Sequence, residues 1–437
     1  MIAADWNGAY SLPASAQPVA IAVHVRGTQA TVSLGPGHSF ATDVTLAGSG
    51  ARVRFTLPGL PQNVDFSGSL RGGRLAGSVR QGRLRGTFSL HRGLARIVSL
   101  LGVYRSPAGA GLAVTEADGL APFLIELPSG ATHGIGPSLT VGRRLGDTRG
   151  YGRVAADATG LTWNGTHYAR LLLRQREVRV GADAATLTLP PGAGPFPAVA
   201  MVHGAGPRTR DEFDVFTAYL ALHGVAVLAD DKRGVGESTG LYPGDEASEA
   251  NIDLLAHDAQ REVHFLAALP QIDKRRIGLF GDSQAGWISP LAASRDPAIR
   301  FIVSNSGPTV SVGETDDWAA LAGESESPPA GTRAQMLAQV RQDGPYGYDA
   351  GPLLRKLAIP GLWLFGADDR NVPTELCVAR LERLKPGHDF SWVVLPTAHT
   401  PLVLPTGLLS SLPRSPGFDP RFFPALAAWL RSHGIAS

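Results

Sequence analysis

Cysteine is almost missing from this chain of 437 residues, which carries only Cys377. A lone thiol excludes an internal disulfide and any zinc site built on cysteine; it leaves the compartment open. Lysine is scarce too, at Lys232, Lys274, Lys356 and Lys385, the other basic side chains being arginine. No excess of one charge is present: the formal net charge is +2, too close to neutral to point to a nucleic-acid partner. No run of about 18 apolar residues occurs, so no membrane span is expected. The start, Met1-Ile2-Ala3-Ala4-Asp5-Trp6, lacks the basic and apolar regions of an export signal. The expectation is a soluble protein, either cytoplasmic or exported with its signal already removed.

What is present suits a globular protein: 43% hydrophobic and 18% charged residues. The length predicts more than one domain at about 100–200 residues each. Residues 1–95 read as an antiparallel β meander, barrel or sandwich. Val19, Ile21, Val23 and Val25 alternate with smaller or polar residues, as do Val53, Phe55 and Leu57, then Leu84, Phe88 and Leu90. Residues 96–175 continue in the same style less regularly. From residue 176 to 437 strands alternate with helices, which predicts a mostly parallel sheet covered on both faces. The expected strands there include Phe196 to Val202, Val225 to Leu228, Ile277 to Phe280, Ile299 to Val303, Gly361 to Phe365 and Trp392 to Leu395.

Residues 308–357 interrupt that rhythm and read as an insertion above the sheet, either a lid or substrate wall or a solvated excursion. Its acidic side chains, Glu314, Asp316, Asp317, Glu324 and Glu326, have no His, Cys or EF-hand glycine spacing beside them, so a solvated face is expected and no metal.

The stretch Gly278-Leu279-Phe280-Gly281-Asp282-Ser283-Gln284-Ala285-Gly286 closes an apolar strand and opens a helical pattern. Small residues beside Ser283 are what a strand-to-helix nucleophile elbow requires, because the two backbones crowd there. An ordinary Gly-Ser turn has the same appearance. A serine hydroxyl needs a base, and the base needs an orienting acid. Both follow later strands: Asp368-Asp369-Arg370-Asn371-Val372-Pro373 after Phe365, and Thr397-Ala398-His399 after Leu395. Parallel strands present their carboxyl ends at one edge, where such residues converge. An alternative for the aspartates is capping of the helix near Pro373.

In these motifs the chain resembles the α/β-hydrolase fold, in the bacterial esterase branch near the dienelactone-hydrolase and prolyl-oligopeptidase-like groups, with an N-terminal β-rich extension. The resemblance rests on His203-Gly204-Ala205-Gly206-Pro207, Asp231-Lys232-Arg233-Gly234-Val235-Gly236-Glu237-Ser238, the Ser283 elbow, Asp369-Arg370-Asn371-Val372-Pro373 and His399. It implies Ser283 as nucleophile, His399 as base and Asp369, not Asp368, as acid. It further implies an oxyanion hole from the backbone N–H groups of Gln284 and Ala205. Trp318 is a candidate for the substrate pocket, and His203 an architectural residue. The expected reaction is hydrolysis of a small carboxylic ester through an acyl-enzyme, with no cofactor and no metal. Thioester hydrolysis and aminopeptidase-type cleavage stay open. So does a non-enzymatic role as an envelope- or carbohydrate-binding protein on a hydrolase scaffold.

Overall fold

The computed structural model describes residues 4–11, 19–26, 29–33, 39–43, 45–47, 52–57, 63–71, 74–92, 100–115, 123–127, 129–135, 139–142, 150–323, 328–399 and 418–436. The chain divides into two compact units, residues 1–125 with 132–170, and residues 126–131 with 171–437.

The first unit is built from short strands. Nine strands between Ala4 and Arg92 form one sheet, with Ala4–Ser11 paired antiparallel to Val19–Arg26 on one side and to Leu84–Arg92 on the other. Alternation sets its two faces. Val64, Phe66, Leu75, Val79, Phe88 and Leu90 are buried, while Ser67, Arg74, Arg80 and Arg85 are exposed. The Phe66 ring stacks on Phe55 at 4.5 Å and meets Phe88 edge-on at 5.4 Å. Leu84, which shares the parity of the buried face, sits at the turn and is exposed. A second sheet of seven strands follows, and Tyr104, Leu112, Leu124, Leu161 and Trp163 belong to its buried cluster.

Among its described residues the second unit holds an eight-stranded sheet: β1 (Arg174–Val180), β2 (Asp183–Leu189), β3 (Phe196–Val202), β4 (Ala226–Asp230), β5 (Ile272–Asp282), β6 (Ile302–Asn305), β7 (Gly361–Gly366) and β8 (Phe390–Leu395). Their order in the sheet is β1-β2-β4-β3-β5-β6-β7-β8. The first two pairings are antiparallel and the rest parallel. Every residue of β3, β4 and β7 is buried, as a sheet covered on both faces demands. β6 starts at Ile302, not Ile299, because the Ile299 N–H is tied back to the Asp296 carbonyl in the turn before it.

Among the described residues, α-helices connect and flank these strands: α1 (Asp214–Leu222), α2 (Glu249–Ala267), α3 (Ala285–Arg295), α4 (Val312–Ala322), α5 (Arg333–Asp343), α6 (Gly351–Leu354), α7 (Thr374–Leu384) and α8 (Phe422–Ser432). Within residues 308–357, α4 and α5 each open on a capping box, Ser311 with Glu314 and Thr332 with Gln335. Trp318, Met336, Leu337 and Val340 join Trp363, Leu376 and Leu381 in one buried cluster. This part of the segment is therefore core. Glu314 caps a helix; Glu324 and Glu326 lie outside the described residues. Strand order, strand direction and flanking helices are those of an α/β-hydrolase body, preceded by a β-rich region.

Candidate active site

The site is assembled at the carboxyl ends of β3, β5, β7 and β8. β5 ends at Asp282 and α3 begins at Ala285, leaving Ser283 on the turn between them. Ser283 holds φ at +49°, a left-handed conformation that costs a non-glycine residue on the order of 1 kcal/mol or more. Its N–H donates to the Asn305 carbonyl at 2.9 Å, which ties the elbow to β6. The small neighbours are required. A Cβ on Gly281 would lie 2.5 Å from both the Ala285 Cβ and the Val202 carbonyl oxygen. A Cβ on Gly286 would lie 2.5 Å from the Gly307 carbonyl carbon. Alanine at position 285, in place of a second motif glycine, is accommodated because Gly281 is empty opposite it.

Backbone bonds join the loops after β7 and β8. Ala367 donates to the Leu395 carbonyl at 2.6 Å and Asp368 to the Thr397 carbonyl at 2.9 Å. This zipper carries Asp369 to His399, whose Nδ1 lies 2.9 Å from Oδ2 and 3.1 Å from Oδ1. On the other side of the ring, His399 Nε2 lies 3.0 Å from Ser283 Oγ. Asp369 is fully buried, whereas Asp368 is exposed. The Asp369 Oδ1 also accepts from the N–H groups of Asn371 at 2.8 Å and Val372 at 2.9 Å, so its orientation is set before the imidazole is counted. The N-cap of α7 is Pro373, so helix capping does not account for Asp369.

Trp318 is placed differently from its expected role. It is completely buried, and its indole N–H donates to the Asp369 carbonyl at 3.1 Å. The Arg333 guanidinium covers its ring at 4.9 Å and pairs with Glu375. Trp318 thus braces the acid loop and offers no face to a substrate.

The loop after β3 stands beside the elbow: a Cβ on Gly204 would lie 3.1 Å from the Ser283 Cβ and 3.3 Å from Asp282 Oδ2. Among the described residues, the backbone N–H groups of Ala205 and Gln284 donate to no protein acceptor. His203 is buried, with Nε2 2.7 Å from the Asp230 carbonyl oxygen and Nδ1 3.3 Å from Glu212 Oε2. Burial opposes its charge, but Asp230 and Glu212 outweigh burial and push its pKa up to about 10. An imidazolium held through neutral pH supports the loop and takes no proton. The Asp282 carboxyl next to Ser283 is raised to about 6, first by burial and then by Glu212.

Two side chains in this region had no role assigned from the sequence. Lys232 is buried, and its Nζ donates to the Gly204 carbonyl at 2.8 Å and to Gln284 Oε1 at 3.1 Å. Asp245 accepts from the Gly206 N–H at 2.8 Å and from the Tyr242 hydroxyl. The signal available was the position of Lys232 two residues after a buried strand, in a chain that otherwise prefers arginine; Asp245 gave none.

Among the described residues no group of His, Cys, Asp and Glu is arranged to hold a metal, and no helix is long and apolar enough to cross a membrane.

Residues 166–310 match the FrsA-like esterase family. The chain is 25% identical over 228 residues to the esterase EstD of Thermotoga maritima, covering 45% of this chain and 52% of the other. It is 27% identical over 233 residues to mouse acyl-coenzyme A thioesterase 1, covering 51% of this chain and 52% of the other. A Pyrococcus furiosus esterase structure aligns over 60% of this chain and 91% of its own, at 17% identity and a TM-score of 0.44. The chain spans about half the length of these two curated relatives. By its own strand order the second unit has the α/β-hydrolase fold, and the segment from β3 to the elbow lies within the stretch that matches the FrsA-like esterases.

Proposed function

We propose that the protein is a serine hydrolase that cleaves carboxylic esters through an acyl-enzyme. The observation that carries this reading is the line from Ser283 Oγ to His399 Nε2 at 3.0 Å and from His399 Nδ1 to Asp369 Oδ2 at 2.9 Å. His399 removes the hydroxyl proton as Oγ attacks the carbonyl carbon. Asp369 holds the tautomer with the proton on Nδ1 and stabilises the imidazolium that forms. The N–H groups of Ala205 and Gln284 receive the developing oxyanion, each such donor being worth about 3–4 kcal/mol in related chemistry. His399 then returns its proton to the departing alkoxide, and later activates water against the acyl-enzyme. Besides the substrate and one water, the steps use only these side chains and the two N–H groups.

A thioester is the second reading, favoured by the likeness to acyl-coenzyme A thioesterases. A thiolate leaves without protonation more readily than an alkoxide, so the same machinery accepts both. The test compares p-nitrophenyl acetate and acetyl thioesters on the protein and on Ser283→Ala. The expected result is loss of roughly 10⁴-fold or more in kcat for the variant, with an unchanged circular dichroism spectrum. Equal turnover by the variant would discard the assignment. The ratio of ester to thioester kcat/KM decides between the two substrates.

A further inference from the structure

The loop that bears Ala205 and the elbow that bears Gln284 belong to different strand ends, yet two oxyanion donors must converge on one atom. One buried cation reaches both. The Lys232 ammonium donates to the Gly204 carbonyl at 2.8 Å, to the Gly206 carbonyl at 3.4 Å and to Gln284 Oε1 at 3.1 Å. The Gly204 carbonyl and the Ala205 N–H are the two ends of one planar peptide unit. A cation fixed on the carbonyl end therefore sets where the N–H end points. It also polarises that N–H, because hydrogen bonds in a chain strengthen one another. The third contact holds the side chain of the residue that carries the other donor.

We infer that Lys232 is the positioning residue of the oxyanion hole, its ammonium locking the Gly204–Ala205 peptide and Gln284 in the geometry that receives the negative oxygen. This rests on the acyl-transfer reading above and deepens it. Lys232 touches no reacting atom; it acts through the peptide it holds. The groups facing it are Asp245, Arg208, Glu212 and Asp282, with the Tyr242 ring 5.6 Å away. Asp245 closes the same loop from the far side by accepting from the Gly206 N–H at 2.8 Å. Burial is the largest influence on the ammonium and lowers its pKa to about 8, against the opposing pull of Asp245. The charged form, which makes these three contacts, is held below that pH and lost above it. Neutral Lys232 remains a donor but is a much weaker one, so the lock loosens as pH rises.

The test measures p-nitrophenyl acetate hydrolysis from pH 6.5 to 9.5 by the protein, by Lys232→Met and by Ser283→Ala. For the unaltered protein kcat/KM is expected to fall about three- to tenfold between pH 7 and 9.5, with its midpoint at pH about 8, and then to level off because the neutral amine still donates. For Lys232→Met kcat at pH 7 is expected to fall about 10- to 100-fold with KM within about twofold, since a misplaced donor costs part of the roughly 10²–10³ of a removed one. The alkaline limb should be absent from its residual activity, a change that a purely structural lysine would not produce. A kcat within about twofold of the parent, or an alkaline limb retained in the variant, would overturn the role of Lys232 and leave the triad standing. If Lys232→Met does not fold, Lys232→Gln, whose amide keeps a donor in a similar volume, decides: a kcat at pH 7 within about twofold of the parent overturns the inference. Turnover by the parent no faster than by Ser283→Ala would instead sink the acyl-transfer reading and this one with it.

Discussion

The nine-stranded sheet of the first unit and the eight-stranded sheet of the second both bury apolar side chains, but they manage strand ends in opposite ways. In the first, neighbouring strands run antiparallel, so strand ends of both polarities alternate along each rim. In the second, crossover helices return the chain, so β3, β5, β7 and β8 all finish at one rim. That rim is where Gly204, Ser283, Asp369 and His399 meet, although the serine and histidine are 116 residues apart in sequence. A parallel sheet concentrates polar loop residues from distant parts of the chain; a meander disperses them. The difference locates the proposed chemistry in the body and leaves the β-rich region with packing as its visible achievement.

Asp369→Asn is expected to cost the second unit most of its turnover. The backbone N–H groups of Asn371 and Val372 still find an acceptor, but the imidazole loses the carboxylate that selects its tautomer. The expected loss is roughly 10⁴-fold in kcat at pH 7 with the melting temperature nearly retained; a loss below tenfold would show that the rim works without its acid. A smaller effect is expected for Trp318→Phe, which keeps an aromatic ring under Arg333 and removes only the indole donor to the Asp369 carbonyl. One such bond is worth about 1 kcal/mol, so kcat should fall about five- to tenfold while KM stays level. A raised KM with kcat intact would instead restore Trp318 to the substrate pocket. No change in turnover is expected for Phe66→Ala in the first unit, despite the loss of its packing on Phe55 and Phe88. That unit should lose about 3–5 kcal/mol of stability, visible as an earlier melting step. A parallel drop in kcat/KM of the folded protein would show that the β-rich region contributes to turnover.

The body was legible because its signals are local and covalent in spacing. Fully buried strands are continuous apolar runs, as in Phe196–Val202 and Gly361–Gly366, and the elbow needs small residues at fixed offsets, as Gly281 and Gly286 show through the contacts a Cβ would make. The choice of Asp369 over Asp368 came only from resemblance; in space it follows from burial and from the Asn371 and Val372 N–H groups. Trp318 was misplaced because an indole in an acidic, proline-containing segment carries no mark of which way it faces. The segment around it turned out to share a core with β7 and α7. Lys232 and Asp245 were unreadable for a similar reason: each acts on the backbone of a glycine loop more than twenty residues away, and backbone carbonyls leave no signature in a sequence.

Alternation, buried runs, small-residue offsets and the order serine, aspartate, histidine were set by the sequence alone, because each depends on residues a few positions apart or on chain order. Which aspartate faces the imidazole, which way the tryptophan points, and that one lysine spans both proposed oxyanion donors were decided only by the tertiary structure. Those are contacts between strand ends, and their distances exist only once the parallel sheet has brought the ends together.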